Sequence, residues 1–162
     1  MNLKIKKLLK LAASLTICLS AGAIGSLFTS SSVDSWYQTL NKPPFNPPSW
    51  LFAPVWTALY VMMGISLFSA WISQSIHKGK KNTAFSFFAL QLLLNMMWSA
   101  LFFGLQNPFL AFIEIILLWI AIIITIALFR RISALAGYLL IPYFLWVTFA
   151  AILNYSIFLL NV

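Results

Sequence analysis

The chain has 162 residues, 62% of them hydrophobic and 7% charged, with a formal net charge of +8. That composition lies far outside the range of soluble domains and defines one integral membrane domain. It argues against nucleic acid as the partner of the basic excess, because Lys and Arg in so apolar a chain sit at the ends of spans and set orientation. The single cysteine, Cys18, lies in an apolar run, so there is no disulfide framework and no Cys-rich metal motif, and its expected role is packing.

A bilayer core needs about 20 apolar residues per helix, and five runs meet that length. The first, residues 11–28, follows Lys4, Lys6, Lys7 and Lys10. It also resembles a secretory signal with small residues at Ser20-Ala21-Gly22-Ala23, although Leu15-Thr16-Ile17-Cys18 is a poor lipobox; retention as a span is the expectation. Next comes a loop over residues 30–49. Between Trp36 and Trp56 lie five of the seven prolines and three of the seven tryptophans. The pairs Pro43-Pro44 and Pro47-Pro48 cannot sit inside a regular helix, because proline lacks an N–H and pushes its predecessor out of helical geometry. Irregular backbone approaches lipid depth only when packed on protein, so this non-helical, aromatic segment is expected to lie over the bundle mouth as a lid.

The second span covers residues 50–72 and is followed by His77, Lys78, Lys80 and Lys81. From Thr83 to Phe129 the only charge is Glu114, and Gln106-Asn107-Pro108 divides this run into spans at 83–105 and 109–129. After Arg130-Arg131 the last span occupies 134–160, with Pro142 expected to kink it. The fold class is therefore an all-α membrane protein, a five-helix transmembrane bundle with a Pro/Trp-rich lid between its first two spans. Nine of the ten Lys and Arg fall at one end, and Lys42 alone lies opposite. The positive-inside rule then puts the N-terminus in the cytoplasm and the lid and C-terminus outside.

Helical spacing shows where polar and aromatic groups converge. Trp56, Tyr60, Met63 and Leu67 share a face of the second span; Gln91, Asn95, Trp98 and Phe102 share one on the third; Tyr143, Trp146, Ala150 and Asn154 share one on the fifth. Exposed to lipid, these amides and indoles would lack partners, so the stripes should face inward. Glue between helices is the competing role for Gln91 and Asn154, and an interfacial belt that for Trp36, Trp50 and Trp71. Glu114 is costly in a span and so a functional candidate. With no cationic partner in the spans, it is expected to be protonated or hydrogen-bonded to Tyr, Trp or amide groups. Ala21/Gly25, Gly22/Ser26 and Ala100/Gly104 are small-xxx-small pairs, compatible with a homodimer as well as with packing inside one bundle.

Trp36-Tyr37, Leu40, Lys42-Pro43, Pro47-Pro48, Pro54-Val55-Trp56, Leu59-Tyr60 and Met63-Gly64, then Gln91-Leu92, Leu94-Asn95, Trp98 and Phe102-Phe103-Gly104, then Pro142-Tyr143, Trp146, Phe149-Ala150 and Leu153-Asn154-Tyr155 form three separated motifs. Together they resemble the tryptophan-rich sensory protein family, also called translocator or peripheral-type benzodiazepine receptor proteins. The resemblance implies a five-helix bundle whose cavity, beneath the lid, binds porphyrins such as protoporphyrin IX and benzodiazepine-like ligands. It assigns Trp56 and Trp146 to porphyrin binding and breakdown, Asn95 and Trp98 to the cavity lining, and Ala150 to a sterol-associated region. The chain departs from the family at Phe45, where Trp is common, at Ala53, where Gly is common, and at Glu114, where Asp is common. No basic residue follows Leu153 and Tyr155, which argues against the animal members' cholesterol motif.

The expected ligand-binding set is Trp36, Tyr37, Lys42, Pro47, Trp50, Trp56, Tyr60, Gln91, Asn95, Trp98, Phe102, Glu114, Tyr143, Trp146, Ala150 and Asn154, with Trp56 and Trp146 as the catalytic candidates. Lys42, or backbone N–H groups of the lid, is expected to meet the porphyrin carboxylates. No cofactor is required and no metal is expected, since His77 and Cys18 lie away from the cavity. The leading function is a porphyrin-binding receptor, sensor or carrier in a bacterial cytoplasmic membrane. The alternatives are a light- and oxygen-dependent porphyrin-degrading enzyme and a small transporter with Glu114 as its proton site.

Overall fold

Asn2 opens the first helix, its side chain accepting from the Lys4 N–H at 3.1 Å. In the computed structural model, which describes residues 2–74 and 78–162 and, for 78–80, the backbone alone, this helix, α1, runs through Leu3–Ser32. It is longer than the apolar run at 11–28 because its lysine-bearing start is exposed to water, where nothing interrupts helical hydrogen bonding. His77 lies outside the described residues.

The lid is not wholly irregular. Trp36–Thr39 forms one helical turn, α2. The prolines that forbid helix begin only at Pro43, so the four residues upstream are free to coil. A 3₁₀ turn at Ser49–Leu51 leads into α3, Phe52–Ile72. Helix α4, Lys78–Ser99, continues into a π-helical turn at Ala100–Gly104, where the Leu105 N–H reaches back to the Ala100 carbonyl at 2.8 Å. Gln106 then takes a left-handed φ of 52°, and Asn107 caps α5, Pro108–Ile132, by accepting from the Leu110 N–H at 3.0 Å. Arg130 and Arg131 close α5 where its dipole favours cations. The last span is split into α6, Ala134–Tyr138, and α7, Ile141–Leu160. The break at Leu139 and Leu140 precedes Pro142, which occupies the first turn of α7, where its missing N–H costs nothing.

Around the bundle the order is α1, α3, the α6–α7 pair, α5, α4 and back to α1. Lipid supplies little hydrophobic drive between helices, so close packing and hydrogen bonds must hold them. At the basic end Ser66 donates to the Ala136 carbonyl at 2.6 Å, Ser73 to that of Ile132 at 2.8 Å and Lys81 to that of Ser73 at 2.6 Å. Phe88 stacks on Phe129, with centroids 5.3 Å apart. Among the described residues five helices are long and apolar enough to cross a membrane, which makes the chain an integral membrane protein in a lipid bilayer.

Candidate functional site

The three inward stripes meet as the spacing predicts. Tyr60, Met63, Gln91, Asn95, Phe102, Tyr143 and Asn154 are buried, while Trp56, Trp98 and Trp146 are half-buried against the core. Two polar clips tie the stripes together. At mid-bundle the Tyr60 hydroxyl donates to Asn95 Oδ1, and Asn95 Nδ2 donates to the Tyr143 hydroxyl at 3.2 Å. Nearer the lid Trp98 Nε1 donates to Asn154 Oδ1 at 3.0 Å, and Asn154 Nδ2 donates to the Pro108 carbonyl at 2.8 Å. Each clip spans three helices and orients an aromatic ring.

Between the clips and the lid is a cavity of about 380 Å³, within the roughly 300–1,000 Å³ of small-molecule sites. Trp56, Trp98 and Trp146 wall it, Tyr60 forms part of its lining toward the mid-bundle clip, and Tyr37, Phe52, Phe102, Phe103 and Phe149 complete the aromatic surface. Their rings brace one another. Trp56 stacks on Tyr60 at 5.6 Å and 29°, Trp98 on Phe102 at 5.2 Å and 22°, and Trp146 lies tilted on Phe149 at 5.5 Å. In the π turn the successive residues Phe102 and Phe103 both line the cavity. No charged side chain lines the site among the described residues.

The lid is stitched down over this space. The Tyr37 hydroxyl donates to Asn46 Oδ1 at 2.6 Å, and burial pushes its pKa up to about 12. The Asn41 N–H donates to Asn161 Oδ1 at 2.9 Å, and Asn161 Nδ2 donates to the Asn41 carbonyl at 2.9 Å, which fixes the loop to the end of α7.

Of the expected ligand-binding residues, Tyr37, Trp56, Tyr60, Trp98, Phe102, Trp146, Ala150 and Asn154 line the cavity. The other eight do not reach its surface. Lys42 turns its ammonium onto the carbonyls of Gln38 and Leu40, at 3.2 and 3.0 Å, and over the Tyr37 ring. Trp50 is 71% exposed on the outside of the lid. Trp36 meets Phe102 edge-on at 5.6 Å but lines a separate hollow with Leu40, Asn107 and Phe158. Pro47 is half-buried within the loop, its carbonyl accepting from Asn46 Nδ2 at 3.1 Å. Asn95 and Gln91 lie one and two turns deeper on α4 than Trp98, and Tyr143 sits behind Trp56 with rings 6.3 Å apart. Glu114 belongs to α5, a helix that contributes nothing to the cavity wall. Neither of its carboxyl oxygens has a hydrogen-bond partner, so the expected bonds to Tyr, Trp or amide groups are not formed.

Stripe reasoning on the second, third and fifth spans missed the α1 wall, made of Leu19, Gly22, Gly25, Ser26 and Thr29 with the C-cap Val33. Its signal was the run of small residues in the first span, read there as helix packing.

Five membrane helices enclosing a lidded, uncharged aromatic cavity define an integral membrane protein with an internal apolar site. The profile of the TspO/MBR family matches residues 14–160. The chain is 46% identical over 156 residues to "Tryptophan-rich protein TspO" of Chlorobaculum tepidum, covering 96% of this chain and 98% of that one. It is equally similar, 46% over 154 residues, to the protein of the same name in Archaeoglobus fulgidus, covering 95% and 98%. It is 33% identical over 147 residues to "Translocator protein" of Homo sapiens, covering 90% and 87%. The chain belongs to the TspO/MBR family, whose members' names support a membrane sensor or receptor role.

Proposed function

We propose that the chain is a porphyrin receptor or carrier that holds metal-free protoporphyrin IX, or a similarly flat hydrophobic ligand, in this cavity. The observation that carries the reading is the wall formed by Trp56, Trp98 and Trp146, three indole faces around one uncharged space. Flat aromatic ligands stack on such faces, and the apolar lining removes their surface from water. With no cation in the lining, ionised propionates would be too costly to bury, so they stay at the lid-side rim near Ser49. No His or Cys lines the cavity among the described residues, which favours the metal-free ring. The basic end is cytoplasmic, in the positive-inside sense, and the lid faces outward from a bacterial cytoplasmic membrane.

Titrating protoporphyrin IX into the protein in nanodiscs tests this through tryptophan quenching. Saturable quenching that weakens in Trp98→Ala is expected; absence of saturation refutes the reading. A second reading, light- and oxygen-dependent breakdown, is favoured by Trp56 and Trp146 both standing in the wall. If illuminated Trp56→Phe and Trp146→Phe variants bleach porphyrin as fast as the parent, that reading fails.

A further inference from the structure

Helix α1 changes partner along its length. Toward the basic end it packs on α3: a Cβ at Gly64 would meet the Leu15 side chain at 2.8 Å, and one at Gly22 would meet the Tyr60 ring at 2.5 Å. Above Gly22 its close contacts pass to the α4 side. A Cβ at Gly25 would lie 3.2 Å from the Ser99 hydroxyl, one at Gly104 would lie 3.1 Å from the Phe28 ring, and Ser32 donates to the Phe103 carbonyl at 2.8 Å. α1 therefore leans toward α4 near the lid, and two helices that touch at Gly22 part above it.

The cavity opens where they part. Ser26 on α1 and Ala53 and Thr57 on α3 line the cavity and are exposed. Gly22 and Ser26 stand ten and six residues before the end of α1 at Ser32, which at about 1.5 Å per residue places the opening roughly 9–15 Å below that end. In a hydrocarbon core about 30 Å thick, that depth is the lipid leaflet on the lid side. The rim suits lipid. Ser26 and Thr57 spend their hydroxyls on the Ala23 and Ala53 carbonyls of their own helices, at 2.7 and 2.8 Å, and so present small, internally satisfied surfaces. The lid end, by contrast, is shut by the Tyr37–Asn46 and Asn41–Asn161 bonds and by Phe45 against Phe149, 6.4 Å apart.

We propose that the ligand enters and leaves sideways, out of the lid-side leaflet, through the slot between α1 and α3, with the lid remaining closed. The site thus draws on molecules already dissolved in the membrane. The porphyrin reading above supplies only the identity of the ligand.

The test uses two cysteine pairs in nanodiscs, with buried Cys18 left in place. Ser26→Cys with Ala53→Cys is bridged by a short bifunctional thiol reagent to close the slot, and Asn41→Cys with Asn161→Cys is oxidised to clamp the lid. One readout is the rate of protoporphyrin IX transfer from preloaded liposomes. The other, which needs no ligand, is quenching of Trp56 by lipids brominated at mid-chain, taken as the difference between the parent and Trp56→Phe. Closing the slot is expected to slow transfer by about tenfold or more and to abolish the Trp56 quenching, whereas the lid clamp changes neither. Slowing by the lid clamp alone, or failure of bromolipids to reach Trp56, overturns the slot. If the parent binds no porphyrin, the porphyrin reading fails while bromolipid quenching still decides the route.

Discussion

Asn154 is buried, and its amide is fully used: Oδ1 accepts from Trp98 Nε1 at 3.0 Å, and Nδ2 donates to the Pro108 carbonyl at 2.8 Å. Asn154→Leu keeps the volume and removes both bonds. The Pro108 carbonyl stands at the start of α5 and can still serve its own helix, so the cost concentrates on the Trp98 N–H. An orphaned donor costs about 1–3 kcal/mol in soluble proteins, and interhelical bonds in bilayers average roughly 0.6 with a maximum near 1.7 kcal/mol. Where the two ranges overlap, Asn154→Leu should lower stability by about 1–2 kcal/mol. Unfolding in bicelles with increasing SDS measures this. The loss should be shared with Trp98→Phe, so that the double variant costs little more than either single one. Freed from its anchor, the Trp98 ring should also leave its stack on Phe102 and weaken protoporphyrin IX binding. A change below about 0.5 kcal/mol, or two single effects that simply add, would refute the view that this clip positions the cavity wall.

Three further perturbations probe other parts of the bundle. Gln91 is buried with neither end of its amide bonded, so Gln91→Leu should be neutral or stabilising by up to about 2 kcal/mol in the same unfolding assay; a loss would show that the amide holds a buried water. Gly22→Ala sets a Cβ against the Tyr60 ring at 2.5 Å and should destabilise by about 1–3 kcal/mol; because that ring lies beneath Trp56, ligand affinity should fall with it. Burial holds the Tyr37 phenol protonated up to about pH 12, against an ordinary 10. Its contribution is therefore full below pH 10 and is lost as pH rises from 10 to 12. In an ultraviolet titration of phenolate absorbance Tyr37→Phe should lose one late-ionising group, and an unchanged profile in that variant would refute the assignment.

Spans were legible because membrane helices announce themselves by length and charge spacing, and the boundaries erred where that signal ends. The α1 start at Leu3 is helical although its lysines lie outside the apolar run, and Trp36–Thr39 coils although it belongs to a proline-rich loop. In both places local hydrogen bonding proceeds where hydropathy is silent. The inward stripes were equally legible, since an unpaired amide or indole in lipid is expensive and periodicity says which ones travel together. Periodicity gives direction but not depth. Gln91, Asn95, Trp98 and Phe102 share one face, yet only Trp98 and Phe102 line the cavity, because Tyr60 closes over Asn95.

The α1 wall escaped for a different physical reason. Cavity walls are recognised in sequence by what side chains project, whereas Gly22, Gly25 and Ser26 shape the site by what they leave out. Gly22 admits the Tyr60 ring and lets α1 and α3 touch; Gly25 admits Ser99 and draws the upper half of α1 toward α4. Glycines three residues apart point about 60° away from each other around a helix, so one faces each neighbour. The same run of small residues that packs α1 against two helices therefore forces it to diverge from the first as it meets the second. On this argument the slot follows from the packing itself, and enlarging Gly25 should press α1 back toward α3 and narrow the opening without touching any residue on the aromatic wall. Gly25→Ala, with its added Cβ 3.2 Å from the Ser99 hydroxyl, should therefore reduce bromolipid quenching of Trp56 while leaving the Trp98–Asn154 clip intact. Equal quenching in parent and variant would mean that something other than the Gly25–Ser99 contact sets the lean of α1.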